Sequence, residues 1–195
     1  MKIFKKIINI LLYIIFLFVV FSCQQIEILE KIVFDYNQFP KIIVTSEKKI
    51  INDFYEAEIR DPYIDYSLKK SPKDHLKEWI ENNFKTIGIE NRLVINIIDS
   101  SLIKEEILNT DAKKYAEKTI FKFEINYLVE YVLYNDNDEI LVLSKVASKR
   151  STTSGKFISL MEMDRIIDTL IFDALFDFTN KSNELIKTYM SAYIL

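Results

Sequence analysis

Between residues 121 and 133 the apolar positions fall on every second residue: Phe121, Phe123, Ile125, Tyr127, Val129, Tyr131 and Leu133 alternate with Lys122, Glu124, Asn126 and Glu130. A period of two sends successive side chains to opposite faces of a strand, so this stretch predicts a strand with one buried face and one largely wet face. Asn135-Asp136-Asn137-Asp138 is a turn, and residues 140–149 return as the hairpin partner. Residues 92–98 put apolar side chains on both parities, as in a strand covered on both faces for part of its length. Residues 102–107 extend it beyond the polar break Asp99-Ser100-Ser101. Residues 42–55 predict an earlier strand, polar in its middle, followed by a loop over 56–70 with Asp61-Pro62 as its turn signal.

Two segments change to a period of three and four. Ser71 is placed to cap a helix, Pro72 suits its first position, and Asp74 sits where a negative charge favours the positive end of the helix. Leu76, Trp79, Ile80, Phe84 and Ile87 then form one apolar stripe, which predicts an amphipathic helix over 72–87 that Gly88 ends in the left-handed conformation. Ser159 and Glu162 have the spacing of a reciprocal capping pair. Met163, Ile166, Ile167, Leu170, Ile171, Ala174, Leu175 and Phe178 follow on one face, and Leu185, Ile186, Tyr189 and Tyr193 prolong it past a kink expected at 180–183. The order strand, helix, strand, hairpin, long helix predicts an α+β fold. Its mainly antiparallel sheet of about four strands carries two amphipathic helices on one face, a two-layer sandwich forming a single domain over 41–195.

The N-terminus has a different pattern. Residues 1–6 are short and basic, residues 7–21 are apolar apart from Asn9 and Tyr13, and Ser22-Cys23 follows at once. This is the order of a secretory signal, and the apolar run is shorter than the ~20 residues that usually cross a ~30 Å hydrocarbon core. Val20-Phe21-Ser22-Cys23 resembles a bacterial lipobox, with Phe21 bulkier than the usual residue at its position. That resemblance implies cleavage of residues 1–22, acylation of Cys23, and an acylated tether over 23–40 with a short docked piece. Cys23 is the only cysteine, so it has no internal disulfide partner. Two or three acyl chains hold a protein on a bilayer essentially permanently, whereas one gives only marginal binding. Gln24, in place of the Asp that retains such proteins at the inner membrane, points to the periplasmic face of the outer membrane. The alternative is an uncleaved signal anchor in the inner membrane with an incidental buried cysteine.

Composition narrows the class. The 195 residues are 49% hydrophobic and 28% charged with only two glycines and three prolines, so most of the chain has core-forming material. The formal net charge is −3; removing Lys2, Lys5 and Lys6 with the signal leaves 23 basic against 29 acidic residues, a net −6. An acidic chain lacks the basic face that nucleic acid requires.

No catalytic, cofactor-binding or metal-ligating residue is assigned. His75, the single histidine, is expected as a solvent-exposed or capping residue in the first turn of its helix. Thr152-Thr153-Ser154-Gly155-Lys156-Phe157 lacks the first glycine of a phosphate loop and has Phe at the magnesium-binding position, so it reads as a solvated turn. Asp136, Asp138 and Glu139 lack the spacing of a calcium loop and read as a solubilising hairpin tip. Tyr127 and Tyr131 lie on the buried parity, as core residues with hydroxyls reaching an edge or as the lining of a lipid pocket. Lys145, Lys149, Arg150 and Lys156 fit a wet sheet edge that discourages strand pairing, or a surface for anionic headgroups or an acidic partner.

The stretch 42–55, then Pro62-Tyr63-Ile64 and Ser71-Pro72, followed by Leu76, Trp79 and Gly88, resembles uncharacterised exported lipoproteins of alphaproteobacteria over most of 41–193. More remotely, in order of elements and anchoring only, the layout is similar to auxiliary lipoproteins of ABC-type lipid transporters and to the lipoprotein that plugs the lipopolysaccharide-assembly barrel. These likenesses imply a non-enzymatic accessory or binding subunit in envelope biogenesis or lipid transport, attached to the membrane through Cys23 and to an envelope protein partner. The rival expectations are a lipid carrier with its own apolar cavity and an uncharacterised hydrolase built from scattered Ser, Asp and Glu.

Overall fold

A computed structural model describes residues 32–110, 112–113 and 116–195. The expected signal peptide, Cys23 and the first part of the tether lie outside the described residues. In chain order the elements are β1 (Ile42–Val44), β2 (Lys48–Asp53), α1 (Pro72–Asn83), β3 (Phe84–Thr86), β4 (Arg92–Leu108), β5 (Thr119–Tyr134), β6 (Ile140–Ser154) and α2 (Leu160–Tyr189). A four-stranded sheet runs β2-β4-β5-β6, and a small sheet pairs β1 with β3. The fold is α+β, with both helices on one face of the main sheet. The β4-β5 and β5-β6 ladders are antiparallel, but β2 joins β4 in parallel, so the sheet is mixed.

The period-two stretch is the centre of the sheet. Phe123, Ile125, Tyr127, Val129, Tyr131 and Leu133 are buried together with Leu76, Trp79 and Ile80 of α1 and Ile167, Leu170, Ile171, Ala174, Leu175 and Phe178 of α2. Complete burial of one such aliphatic side chain contributes about 1.5–3 kcal/mol, so the two apolar helix stripes are the main force holding the layers together. The helix starts follow their caps. Ser71 and Asp74 form a complete capping box, and Ser159 Oγ accepts from the Glu162 N–H at 3.1 Å.

β4 explains why its sequence has two parities. Leu93, Ile95 and Ile97 face the helices, a bulge lies between Ile97 and Asp99, and from there the even residues Ser100 and Leu102 oppose the buried Tyr127 and Ile125. An extra residue in one strand shifts its alternation by one, so the bulge keeps the core face continuous across the polar break. On β6 pairing continues past residue 149, because Phe121 of the partner strand lies opposite Ser154. The Thr152-Thr153-Ser154 stretch read as a turn is therefore the end of a strand.

Three other boundaries differ from the sequence expectation. The single strand over 42–55 is two strands in different sheets. Residues 45–47 cross between them, with the Ser46 N–H on Val44 O at 3.0 Å and the Glu47 N–H on Glu90 O at 2.9 Å. The first helix stops at Asn83 instead of residue 87, because Phe84 turns inward to full burial and starts β3. Lys49 donates to Ile80 O at 2.9 Å, which also accepts the Phe84 N–H, and to Phe84 O at 2.8 Å, so one ammonium ties the helix end to the start of β3. Gly88 is not left-handed. A Cβ there would sit 3.1 Å from Ser46 N, so its small size serves the close approach of the crossing segment. Finally, α2 runs through 180–183 without interruption, and Ser182 is fully buried under the Tyr131 hydroxyl, which donates to its Oγ at 3.2 Å.

The C-terminal residues complete the small sheet. The Thr45 N–H bonds Tyr193 O at 2.7 Å, and the Leu195 N–H bonds Ile43 O at 3.1 Å, flanking β1 on the side away from β3. No helix among the described residues is long and apolar enough to cross a membrane.

Candidate functional site

The described part of the tether is built into the body. Phe39 is 3% exposed and lies 5.5 Å from the Phe172 ring of α2 and 6.2 Å from Phe176. Asn83 at the end of α1 donates to Tyr36 O, Phe39 O and Pro40 O at 2.9, 3.1 and 3.3 Å, so one amide holds three tether carbonyls. The Trp79 indole N–H reaches Pro40 O at 3.3 Å. Further upstream, Phe34 lies between the two helices, stacked on His75 with ring centres 3.7 Å apart and edge-on to Phe172 at 5.6 Å.

Contrary to the sequence expectation, His75 is neither exposed nor a cap. It is 5% exposed, and its Nδ1 shares a hydrogen bond of 2.8 Å with the Tyr36 hydroxyl. Capping is done by Ser71 and Asp74, which leaves the imidazole on the inward side of the first turn. Burial, with the nearby Lys70 ammonium, lowers its pKa to about 4, so it is neutral at ordinary pH. Lys70 is itself ion-paired with Glu78. Beside this cluster is a cavity of about 800 Å³, walled by Phe34, Leu68, Lys69 and Lys70, by His75, and by the Asp164-to-Asp168 turn of α2. Its wall mixes aromatic, aliphatic and charged groups of both signs.

A second polar cluster has no sequence signature. Asp65 is 1% exposed and accepts from the Tyr55 hydroxyl at 2.8 Å, while its other carboxylate oxygen has no partner. Burial pushes the carboxyl pKa up, and the Tyr55 hydrogen bond only partly opposes this. Tyr55 ends the stretch 42–55 expected as a strand and Asp65 lies in the loop expected over 56–70, and nothing in their spacing announces a buried pair.

The four basic residues grouped in the sequence do not form a free patch. Lys149 pairs with Glu124 at 2.5 Å, Arg150 bridges Asp173 and Asp177 of α2 at 2.9 and 2.5 Å, and Lys156 pairs with Glu106 at 2.7 Å. Lys145 stands opposite Glu130 on the sheet face away from the helices. On that face Asn52 donates to Asn96 at 2.9 Å and Asn96 donates to Glu130 at 3.0 Å, a polar band across three strands. The outer edge of β6 bears exposed Ile140, Leu141 and Leu143 near its start, and Lys181 donates to Ala147 O. Tyr127 and Tyr131 are fully buried core residues whose hydroxyls point to Pro72 O and Ser182, not to an edge. At the hairpin tip, Asp136 accepts from the Asn91 N–H at 3.1 Å and Asp138 pairs with Arg92 at 2.7 Å, tying the turn to the start of β4. Among the described residues no group of His, Cys, Asp and Glu has the arrangement of a metal site.

No protein-family model matches the sequence, and no curated protein matches it either. Among solved structures, the chain resembles a minor lipoprotein from Acinetobacter baumannii, at 10% identity and a TM-score of 0.43 over 77% of this chain and 96% of that one. It also resembles the rare lipoprotein B from Shewanella oneidensis, at 15% identity and a TM-score of 0.35 over 75% of this chain and 95% of that one. Neither comparison bears on an alphaproteobacterial origin.

Proposed function

We propose that this chain is a lipid-anchored envelope lipoprotein, acylated at Cys23, whose α+β body is a non-enzymatic binding subunit. The carrying observation is that Phe34, only eleven positions after Cys23, is held in the body between His75 and Phe172. A short basic start, an apolar run and a lipobox-like Val20-Phe21-Ser22-Cys23 therefore lead almost directly into a folded domain. Gln24 favours the periplasmic face of the outer membrane. The body offers a polar sheet face and the long edge of β6 to an envelope protein partner, in envelope biogenesis or lipid transport.

The geometry of His75 supports a binding role over a catalytic one. Its ring packs against Phe34 and its Nδ1 is used by Tyr36, so the imidazole serves to seat the tether. A lipid carrier needs a continuous apolar interior. The centre between sheet and helices is instead filled by ring contacts, including Phe84 stacked on Tyr131 at 5.4 Å and Trp79 edge-on to Phe84 at 5.2 Å.

Labelling cells with a fatty-acid analogue, wild type beside Cys23→Ala, tests the anchor. Label on the wild type alone is expected; an unlabelled wild-type chain that keeps its initiator methionine overturns the reading. Crosslinking of the full chain in intact envelopes tests the partner. One recurrent crosslinked envelope protein is expected, and mass spectrometry that finds bound lipid and no partner would favour the carrier.

A further inference from the structure

We infer that the N-terminal tip of α2, formed by Phe157, Leu160 and Met161, inserts into the surface of the bilayer beside the lipid anchor and so fixes which side of the body faces the membrane. The inference takes its orientation from the acyl group proposed at Cys23. Two independent observations carry it.

The first is the path of the tether. Followed backward from Phe39, the chain meets α2 at progressively earlier residues: Phe39 lies against Phe176 and Phe172, and Phe34 against Phe172. Ile32 and Val33 then share a cavity wall with Asp164, Ile167 and Asp168. The tether therefore runs along α2 toward its N-terminus, and Asp164 is only about one helical turn from Leu160. Cys23 and Ile32 are nine positions apart, which even fully extended span at most about 32 Å. An acyl anchor at Cys23 thus keeps the start of α2 close to the bilayer.

The second is the surface found there. Phe157 is 88% exposed, Leu160 76% and Met161 58%, three large apolar side chains within five residues at the start of a helix. Leu108, 75% exposed, ends β4 at the same end of the sheet, where Glu106 pairs with Lys156. Adjacent exposed apolar side chains mark an interaction surface. Lys156 and Arg165 stand among Glu162, Asp164, Glu106 and Glu117, the last two both in contact with Lys156, so the tip offers no basic patch to anionic headgroups and its fit to a membrane rests on the apolar side chains. The match is the apolar margin of a bilayer at the headgroup boundary, which the three tip side chains can enter while the apolar stripe of α2 stays in the core.

The test uses the full chain in vesicles of phosphatidylethanolamine and phosphatidylglycerol, with ordinary acyl chains replaced by brominated ones, which quench indole emission on contact. Phe157→Trp and Leu160→Trp report on the tip, and Ile140→Trp reports from the far end of β6. The wild type supplies the background from Trp79, which is fully buried. Loss of the added emission at 157 and 160, with 140 and Trp79 unaffected, is the expected result. Mass spectrometry of the same samples reads acylation at Cys23. An acylated chain whose indoles at 157 and 160 are not quenched overturns the inference and leaves the anchor standing, the tip then meeting solvent or a protein. An unacylated chain quenched at 157 and 160 supports insertion and removes the anchor. An unacylated, unquenched chain overturns both.

Discussion

Phe34 and His75 are stacked with ring centres 3.7 Å apart and planes 28° from parallel, joining the end of the tether to the first turn of α1 across 41 positions of sequence. This contact docks the end of the tether into the folded body, and it keeps the only histidine in the chain dry.

The stack gives stability a specific pH dependence. The folded-state pKa of His75 is about 4, below its ordinary 6.5, so between these values the unfolded chain binds more protons than the folded one. Its contribution is complete above pH 6.5 and is lost as pH falls toward 4. Urea denaturation at pH 7, 5 and 4 is expected to show a falling midpoint, and His75→Gln should flatten that part of the profile. An unchanged slope in the variant would place the acid sensitivity elsewhere.

Asn83 is expected to control whether the tether stays docked. Asn83→Ala removes one amide from three carbonyls; Tyr36 O keeps the Phe39 N–H and Pro40 O keeps the Trp79 indole, so the loss falls mainly on Phe39 O, and leaving a buried polar group unpaired costs about 1–3 kcal/mol. Limited proteolysis of the variant should cut ahead of residue 41 faster than the wild type, while cleavage within β5 stays slow. Equal cutting rates would show that the Phe34 and Phe39 packing is sufficient alone.

Phe84 is the residue on which the first helix ends and the core closes. It is fully buried, stacked on Tyr131 and edge-on to Trp79. Truncation of a buried Phe to Ala costs about 3–5 kcal/mol, and Phe84→Leu should cost clearly less because most of the volume is kept. Denaturant midpoints of the two variants check this ranking.

Asp65 has the opposite sign to His75. Burial raises its carboxyl pKa, so its contribution to stability is present below the ordinary carboxylate range and is lost as pH rises through the raised value. Asp65→Asn keeps an acceptor for the Tyr55 hydroxyl and cannot ionise. It is therefore expected to be more stable than the wild type at pH 7, with the gap closing toward pH 4, as thermal unfolding at the two pH values would show.

What residues 32–195 form element by element was largely legible, because caps and periodicities are local. The Ser71 and Ser159 caps, the strand centred on Tyr127 and the stripe of α2 need only neighbours within a few positions. The ion pairs of the basic residues at 149–156 were not legible for the same reason, since Glu106, Glu124, Asp173 and Asp177 are distant in sequence.

The sequence by itself determined the faces: which residues of β5, α1 and α2 must be buried, and that an acidic body follows an apolar start ending at Cys23. Tertiary structure alone decided where α1 stops, how one predicted strand divides between two sheets, and that His75 lies under Phe34. These depend on pairs such as Phe84 with Tyr131, Gly88 with Ser46 and Phe34 with His75. The free energy of such pairs comes from excluding water between distant segments, so no local pattern carries it.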